Sequence, residues 1–171
     1  GAKELFEREL KRDEKADGPD HPEVGVDVNN LGSVLQDLGD LQGAKELFER
    51  ALKIDEKTYG PDHPEVASVV NNLGGVLQDL GDLQGAKELF ERALKIDEKT
   101  YGHDHPEVAR DVNNRGSVLQ DIGDLQGAKE LYERARKIGE TTNAPSLLRG
   151  QINDTSSRSG PTDRAHMQRA K

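Results

Sequence analysis

The 171-residue sequence contains no cysteine and no tryptophan, and aromatic residues make up only 4% of it. Without cysteine there is no disulfide, no thiolate zinc site and no cysteine nucleophile. No apolar run reaches the roughly 18 residues that a membrane-spanning helix needs, and the start lacks the basic-then-apolar pattern of a secretory signal. These absences predict a soluble, cytoplasmic protein with no membrane partner.

Apolar residues are also scarce, at 32% of the chain against 33% charged, and the formal net charge is −9. So polar a composition fills the core of a compact domain poorly, whereas a stack of repeats needs only a thin apolar seam between neighbours. The negative charge argues against a phosphate-backbone partner, because nucleic-acid affinity rests on clustered Lys and Arg. We therefore expect no nucleic-acid partner.

The sequence does contain a clear internal repeat. The string Gly-Ala-Lys-Glu-Leu begins at Gly1, Gly43, Gly85 and Gly127, which is a period of 42 residues. Such a period is typical of a repeat array. We predict an array over residues 1–141, made of a half repeat at 1–17 and full repeats at 18–59, 60–101 and 102–141. Because the chain opens with half a repeat and no initiator Met, we expect it to be a segment of a longer array.

Each repeat is predicted to form two antiparallel helices. In the first full repeat Asp20 and Glu23 have the spacing of a capping box, which marks the start of a helix. The apolar side chains of this helix follow at alternating steps of four and three residues: Val24, Val28, Leu31, Leu35 and Leu38. Gly39-Asp40 interrupts the pattern, and a second helix is predicted over about 41–58, closed by Tyr59-Gly60-Pro61.

The spacing Val28-x-x-Leu31-Gly32-x-x-Leu35, followed by Ala44-x-x-x-Phe48, resembles the tetratricopeptide repeat pattern, with Val and Leu where that pattern favours Trp and Tyr. The unit is longer than the usual repeat of about 34 residues, and Glu56 stands where a closing Pro is common. This longer unit, with its Asn29-Asn30-Leu31 and its Gly-Pro-Asp-His-Pro junction, is similar to the repeats of kinesin light chains. The resemblance implies an all-α, right-handed superhelical solenoid whose first helices line a concave groove that holds a peptide.

A helical wheel independently places polar residues opposite the apolar stripe of each first helix. Side-chain amides carry donors and acceptors, so stacked Asn and Gln can bond a peptide backbone whatever its side chains, with a ladder along Asn30, Asn72 and Asn114. The alternative is that these side chains are simply solvated on an exposed face. The candidate peptide-binding residues are Val26, Asn29, Asn30, Ser33, Gln36, Asp37, Ser68, Asn71, Asn72, Gly75, Gln78, Asp79, Arg110, Asn113, Asn114, Ser117, Gln120 and Asp121.

The first two full repeats differ at only four positions, all in the first helix. The pairs are Gly25 and Ala67, Val26 and Ser68, Asp27 and Val69, and Ser33 and Gly75. This pattern indicates a fixed scaffold with an adjustable groove. Recent duplication with chance drift, or a designed consensus-like array, would produce the same pattern of differences.

The charge of the first helices indicates which kind of peptide the groove would attract. They carry Asp37, Asp79 and Asp121, with Arg110 and Arg115 as their only bases. We expect an electronegative groove that prefers basic or neutral peptides, and a basic C-terminal tail that competes for it in cis. The alternative function is a structural spacer or self-assembling segment, in which the exposed seam of the first helix takes the end of another chain, head to tail.

The sequence gives little support for a metal site or a catalytic site. The sequence His103-Asp104-His105 has two metal-ligating imidazoles, but its first His only replaces the Pro of earlier repeats, so we expect no metal and no other cofactor. No recurring base, nucleophile and orienting group suggests a catalytic site, so we predict no enzyme activity. The aromatic residues at one repeat position, Phe6, Phe48, Phe90 and Tyr132, are expected to fill the core.

The third full repeat departs from the others near its end. Arg115 and Arg136 replace leucines of the earlier copies, and Gly139 is expected to interrupt the last helix. Over residues 142–171 the repeat is lost. We predict a short capping helix that begins near Pro145 and includes Leu147, Leu148 and Ile152, followed by a basic, disordered tail.

Overall fold

The structure, a computed structural model, describes residues 1–143, and these residues form seven α-helices and no strand. The helices are α1 (Ala2–Asp17), α2 (Pro22–Asp37), α3 (Leu41–Tyr59), α4 (Pro64–Asp79), α5 (Leu83–Tyr101), α6 (Pro106–Ile122) and α7 (Leu125–Asn143). The predicted all-α class is confirmed. The second helix of the first full repeat, predicted over about 41–58, extends one residue further to Tyr59.

The helices stack as a solenoid. Each one packs mainly on its neighbours in sequence, most closely within the pairs α2 with α3, α4 with α5, and α6 with α7. In addition α2 touches α4, and α4 touches α6. The first helices of the three full repeats therefore lie side by side and form one common face.

Thin apolar seams join successive helix pairs, as the scarcity of apolar residues predicted. In one seam Leu35 and Phe48 of the first full repeat pack with Leu73 and Val76 of α4. The rings of Phe48 and Phe90 are almost completely buried, at 0% and 2% exposure, whereas Tyr132 at the equivalent place in the last pair is 37% exposed. The core is thus repeated rather than central, and within residues 1–143 its last copy is open on one side.

A glycine in each first helix lets the two helices of a pair approach closely. A Cβ atom placed on Gly32, Gly74 or Gly116 would lie 2.8, 2.7 or 2.9 Å from a ring carbon of the aromatic residue on the partner helix. Real Cβ contacts essentially never come this close. The small residue is therefore required by the distance between the helices rather than by backbone conformation.

The first helices begin one residue later than the capping-box spacing predicted, so that prediction is wrong. The caps are His21, His63 and His105, each of which precedes a proline at the first helical position. Their Nδ1 atoms accept hydrogen bonds from the backbone N–H two residues on, at 3.2, 3.1 and 3.2 Å. Proline is common at the first helical position because its fixed φ suits the helix and its missing N–H would have no partner there. The preceding His therefore becomes the cap.

Two other local predictions are also wrong. Leu38 lies outside the seam and is 66% exposed. It caps α2 in a helical conformation, the chain turns only at Gly39, and no described neighbour covers the Leu38 side chain. Gly139 does not interrupt α7, which continues to Asn143. A helical glycine costs only about 1 kcal/mol relative to alanine, which the packed neighbours of this helix offset. The capping helix predicted from Pro145 and the tail beyond it fall outside the residues that the structure describes.

Candidate peptide-binding face

The common face of α2, α4 and α6, here called the first-helix face, carries the eighteen residues predicted as a binding surface. Seventeen of them are exposed or half-buried, and Asn71 is buried at 8% exposure. Hydrogen bonds that cross from α2 to α4 and from α4 to α6 place the Asn and Gln side chains along the boundaries between these helices. The structure thus brings the candidates together on one surface.

Two adjacent asparagines per repeat form a chain of amide contacts across this face. Asn72 Nδ2 donates to Asn29 Oδ1 at 3.0 Å, and Asn114 Nδ2 donates to Asn71 Oδ1 at 3.3 Å. The second Asn of one repeat therefore bonds the first Asn of the preceding repeat. Because an amide nitrogen carries two hydrogens and an amide oxygen accepts two bonds, these contacts leave Asn29, Asn72 and Asn114 with hydrogen-bonding capacity for a ligand. Asn71 does not offer such capacity, because it is buried and its nitrogen donates to Asp111.

A second row of contacts lies near the ends of the first helices. Gln36 Nε2 donates to Asp79 Oδ2 at 2.9 Å, and Gln78 Nε2 donates to Asp121 Oδ2 at 2.6 Å and to Ser117 Oγ at 3.0 Å. The α2–α4 boundary has no counterpart of the serine contact, because Gly75 occupies that position. A Cβ on Gly75 would find only Gln36 Nε2, at 3.8 Å. This position therefore has room for a side chain that it lacks.

Beneath the face lie two buried carboxyl groups that the sequence analysis missed. Asp111 is 0% exposed and Asp97 is 2% exposed. Asn71 Nδ2 donates to Asp111 Oδ1 at 2.6 Å, and Arg110 Nη2 lies 3.4 Å from that oxygen and 3.5 Å from Asp97 Oδ2. One oxygen of each carboxyl group, Asp97 Oδ1 and Asp111 Oδ2, has no hydrogen-bond partner. This environment favours the neutral acid.

Burial is the main cause of the altered acidity of these groups. It raises the pKa of Asp111 to about 7, which the neighbouring Asp97 also favours and the hydrogen bond from Asn71 opposes. Burial likewise raises the pKa of Asp97. The pKa of Asp27 is raised to about 6 by burial and then by nearby Asp13, and that of Asp55 to about 6 by burial. The sequence did contain one indication that Asp27 and Asp111 are buried, since the equivalent residue of the middle repeat is the apolar Val69.

The two bases of the first helices are paired with acids. Arg110 Nη1 lies 2.6 Å from Glu107 Oε2, and Arg115 Nη2 donates to Glu91 Oε1 at 2.9 Å. In contrast, Asp37, Asp79 and Asp121 are exposed at the helix ends. The ends of the first helices therefore present negative charge, to which the helix dipoles add.

Within residues 1–143 no group of three or more His, Asp or Glu side chains is placed to hold a metal ion. None of the helices in that range is long and apolar enough to cross a membrane. What the first-helix face offers is a surface of amides and carboxylates. These groups can form hydrogen bonds and ion pairs.

Comparison with known proteins agrees with this architecture. The family model described as "Tetratricopeptide repeat" matches residues 26–99 and 65–141. No curated protein matches the chain. Repeats of this family generally mediate protein–protein interactions, and the family is typically non-enzymatic.

Solved structures with the same fold include BtubC (BKLC) from P. vanneervenii, with a TM-score of 0.74 and 26% sequence identity. That match covers 99% of this chain and 63% of BtubC. A putative kinesin light chain from Podosopora anserina, with nearly identical TPR-like repeats, matches at a TM-score of 0.69 and 30% identity over 82% of this chain and 67% of that one. A variant of it matches at a TM-score of 0.72 and 29% identity, over 83% and 67%. The chain therefore belongs to the tetratricopeptide repeat family, in its kinesin-light-chain-like form.

Proposed function

We propose that the first-helix face binds an extended segment of another protein and that the chain acts as an interaction scaffold. The observation that carries this proposal is the network of amide contacts between successive first helices, from Asn29 to Asn72 and from Asn71 to Asn114. These contacts fix the amides in place before any ligand arrives. A preorganised surface loses less side-chain entropy on binding.

The partner segment is basic or neutral. Asp37, Asp79 and Asp121 are exposed along one edge of the face, and the carboxylates that contact Arg110 and Arg115 offset the charge of these bases. An acidic segment would meet only repulsion at this edge. A basic one would gain a modest attraction at each exposed carboxylate, about 0.2–1 kcal/mol per pair.

The charge claim can be tested by removing two carboxylates without removing their hydrogen bonds. In an Asp79→Asn/Asp121→Asn variant, the side-chain oxygens can still accept from Gln36 and Gln78. A matched control, Glu46→Gln/Glu88→Gln, deletes two exposed carboxylates from α3 and α5 instead. Binding of labelled basic, neutral and acidic peptides of equal length would be followed by fluorescence anisotropy at two salt concentrations.

We expect the first variant to weaken binding of basic peptides by roughly twofold to thirtyfold, which is the effect of two exposed ion pairs. The control should bind like the parent chain, and added salt should narrow the difference. Equal effects in both variants would refute the role of this face in attracting basic segments. A parent chain that binds no peptide and forms concentration-dependent oligomers would favour the spacer or self-assembling alternative, for which the 51% exposure of Leu5 on α1 is the supporting observation.

A further inference from the structure

The last helix pair of the described array ends in an open apolar groove, here called the end groove. Its volume is about 400 Å³, and it is lined by Leu125, Ala128, Tyr132 and Arg136 of α7 together with Gln120 of α6. Leu125 is 67% exposed and Tyr132 is 37% exposed. This is a large amount of apolar surface to leave in water for a chain so poor in apolar residues.

In the earlier repeats the next first helix fills the equivalent position. Leu73 and Val76 of α4 pack in the seam that contains Phe48. Val118 of α6 packs in the seam that contains Phe90. One or two aliphatic side chains are therefore enough to cover the aromatic ring at each junction.

Two substitutions distinguish the end groove from its internal counterparts. Tyr132 replaces Phe48 and Phe90, and its hydroxyl group donates to Gln120 Oε1 at 3.1 Å. Arg136 replaces a leucine and pairs with Glu140. Both side chains combine an apolar body with a polar tip that stays in water. The groove thus suits a short segment that covers its apolar floor better than a complete repeat that would bury its rim.

We propose that residues 145–152 of the same chain occupy the end groove, with Leu147 and Leu148 against its floor between Arg136 and Tyr132. Leu147, Leu148 and Ile152 are the only leucine or isoleucine residues after position 143. They supply the two or three aliphatic side chains that the internal junctions use. The rim carries Glu133, which is opposite in charge to Arg149 of the segment.

The length of the intervening chain permits this contact. Along α7, Arg136 and Tyr132 lie about 10 and 16 Å before Asn143, at a rise of about 1.5 Å per residue. An extended chain spans about 3.3 Å per residue, so Leu147 and Leu148 reach about 13 to 16 Å back from the helix end. The two leucines can therefore meet the groove between the levels of Arg136 and Tyr132 without unwinding α7.

Because the chain has no cysteine, the proposal can be tested by introducing one pair of cysteines at a time. Lys129→Cys lies on the groove and Arg149→Cys lies beside the two leucines. After mild oxidation at low micromolar concentration, non-reducing gels and peptide mass spectrometry identify the disulfide. We expect a disulfide within one chain, whereas pairing Arg149→Cys with Arg8→Cys on α1 should give none.

A second comparison separates a docked segment from a loose tether. Adding Leu147→Asp/Leu148→Asp leaves the tether unchanged and should slow disulfide formation at least about tenfold, since two buried leucines are lost. Ser156→Asp/Ser157→Asp adds the same charge further along the tail and should not slow it. Circular dichroism should show the same helix content throughout.

Three results would overturn the proposal. A disulfide between two chains would mean that a second copy covers the groove. No disulfide, or equal rates with and without the aspartates, would mean that the segment does not dock. The proposed function does not depend on these outcomes, because the end groove and the first-helix face are tested by different variants.

Discussion

The close approach of Gly74 to the ring of Phe90 predicts that Gly74→Ala destabilises the chain, and Gly75 next to it provides an internal control. Both glycines lie in the middle of α4, so replacing either with alanine gains the same helix propensity, about 1 kcal/mol. A Cβ on Gly74 would lie 2.7 Å from Phe90 Cε1, whereas the nearest atom to a Cβ on Gly75 is 3.8 Å away. Only the first substitution meets a buried ring.

The expected magnitudes follow from this geometry. Phe90 is 2% exposed and cannot swing into solvent, so Gly74→Ala forces overpacking, which typically costs about 1–3 kcal/mol. Gly75→Ala should stabilise the chain by up to about 1 kcal/mol. The difference between the two variants cancels the propensity gain and should be about 1–3 kcal/mol, with Gly75→Ala the more stable.

The assay is urea denaturation followed by far-ultraviolet circular dichroism, with equal slopes confirming that the midpoints are comparable. In a chain that already carries Phe90→Leu, Gly74→Ala should cost less stability than it does in the parent chain, since the smaller side chain leaves room for the new methyl group. If both alanine variants shift the midpoint equally, the helices of this pair are not held together by contact between this glycine and this ring.

Three further predictions concern capping, burial and pH. His63→Ala should cost about 1 kcal/mol because the N–H of Glu65 loses its acceptor, whereas His63→Asn, which keeps an acceptor, should cost less in thermal melts; equal losses would contradict the capping role. Leu35 is 8% exposed and Leu38 is 66% exposed. Leu35→Ala should therefore lower the free energy of unfolding by about 2–5 kcal/mol, and Leu38→Ala by less than about 0.5 kcal/mol; similar losses for the two variants would contradict the position of Leu38 outside the seam. Because burial raises the pKa of Asp111 from 3.8 to about 7, the folded chain holds more protons than the unfolded chain between these values, so its stability should fall as pH rises across them, by up to about 1.4 kcal/mol per pH unit for this group. Asp111→Asn should make that fall shallower in urea titrations at pH 4.5 to 8, and an unchanged slope would contradict it.

The sequence by itself determined the architecture. A period of 42 residues with the same small, apolar and turn residues in each copy predicts helix pairs, their stacking and, except at the end of α7, their bounds to within one or two residues. Helix periodicity and turn chemistry are local properties, so they can be read from neighbouring residues alone. The polar positions of the first helices were found for the same reason, since a helical wheel shows which side chains share a side.

The tertiary structure alone decided which groups meet across repeats. The contact of Asn72 with Asn29 joins residues 43 apart, and the burial of Asp97 against Asp111 depends on how α5 lies against α6. The choice of His21 over Asp20 as the cap depends on where the helix begins, and the exposure of Leu38 depends on what packs against the end of α2. The groove at the end of α7 is open within residues 1–143 because none of these residues forms a further first helix over the last pair. A repeat pattern states what each unit contains, whereas burial, pKa and open surface are set by what each unit packs against.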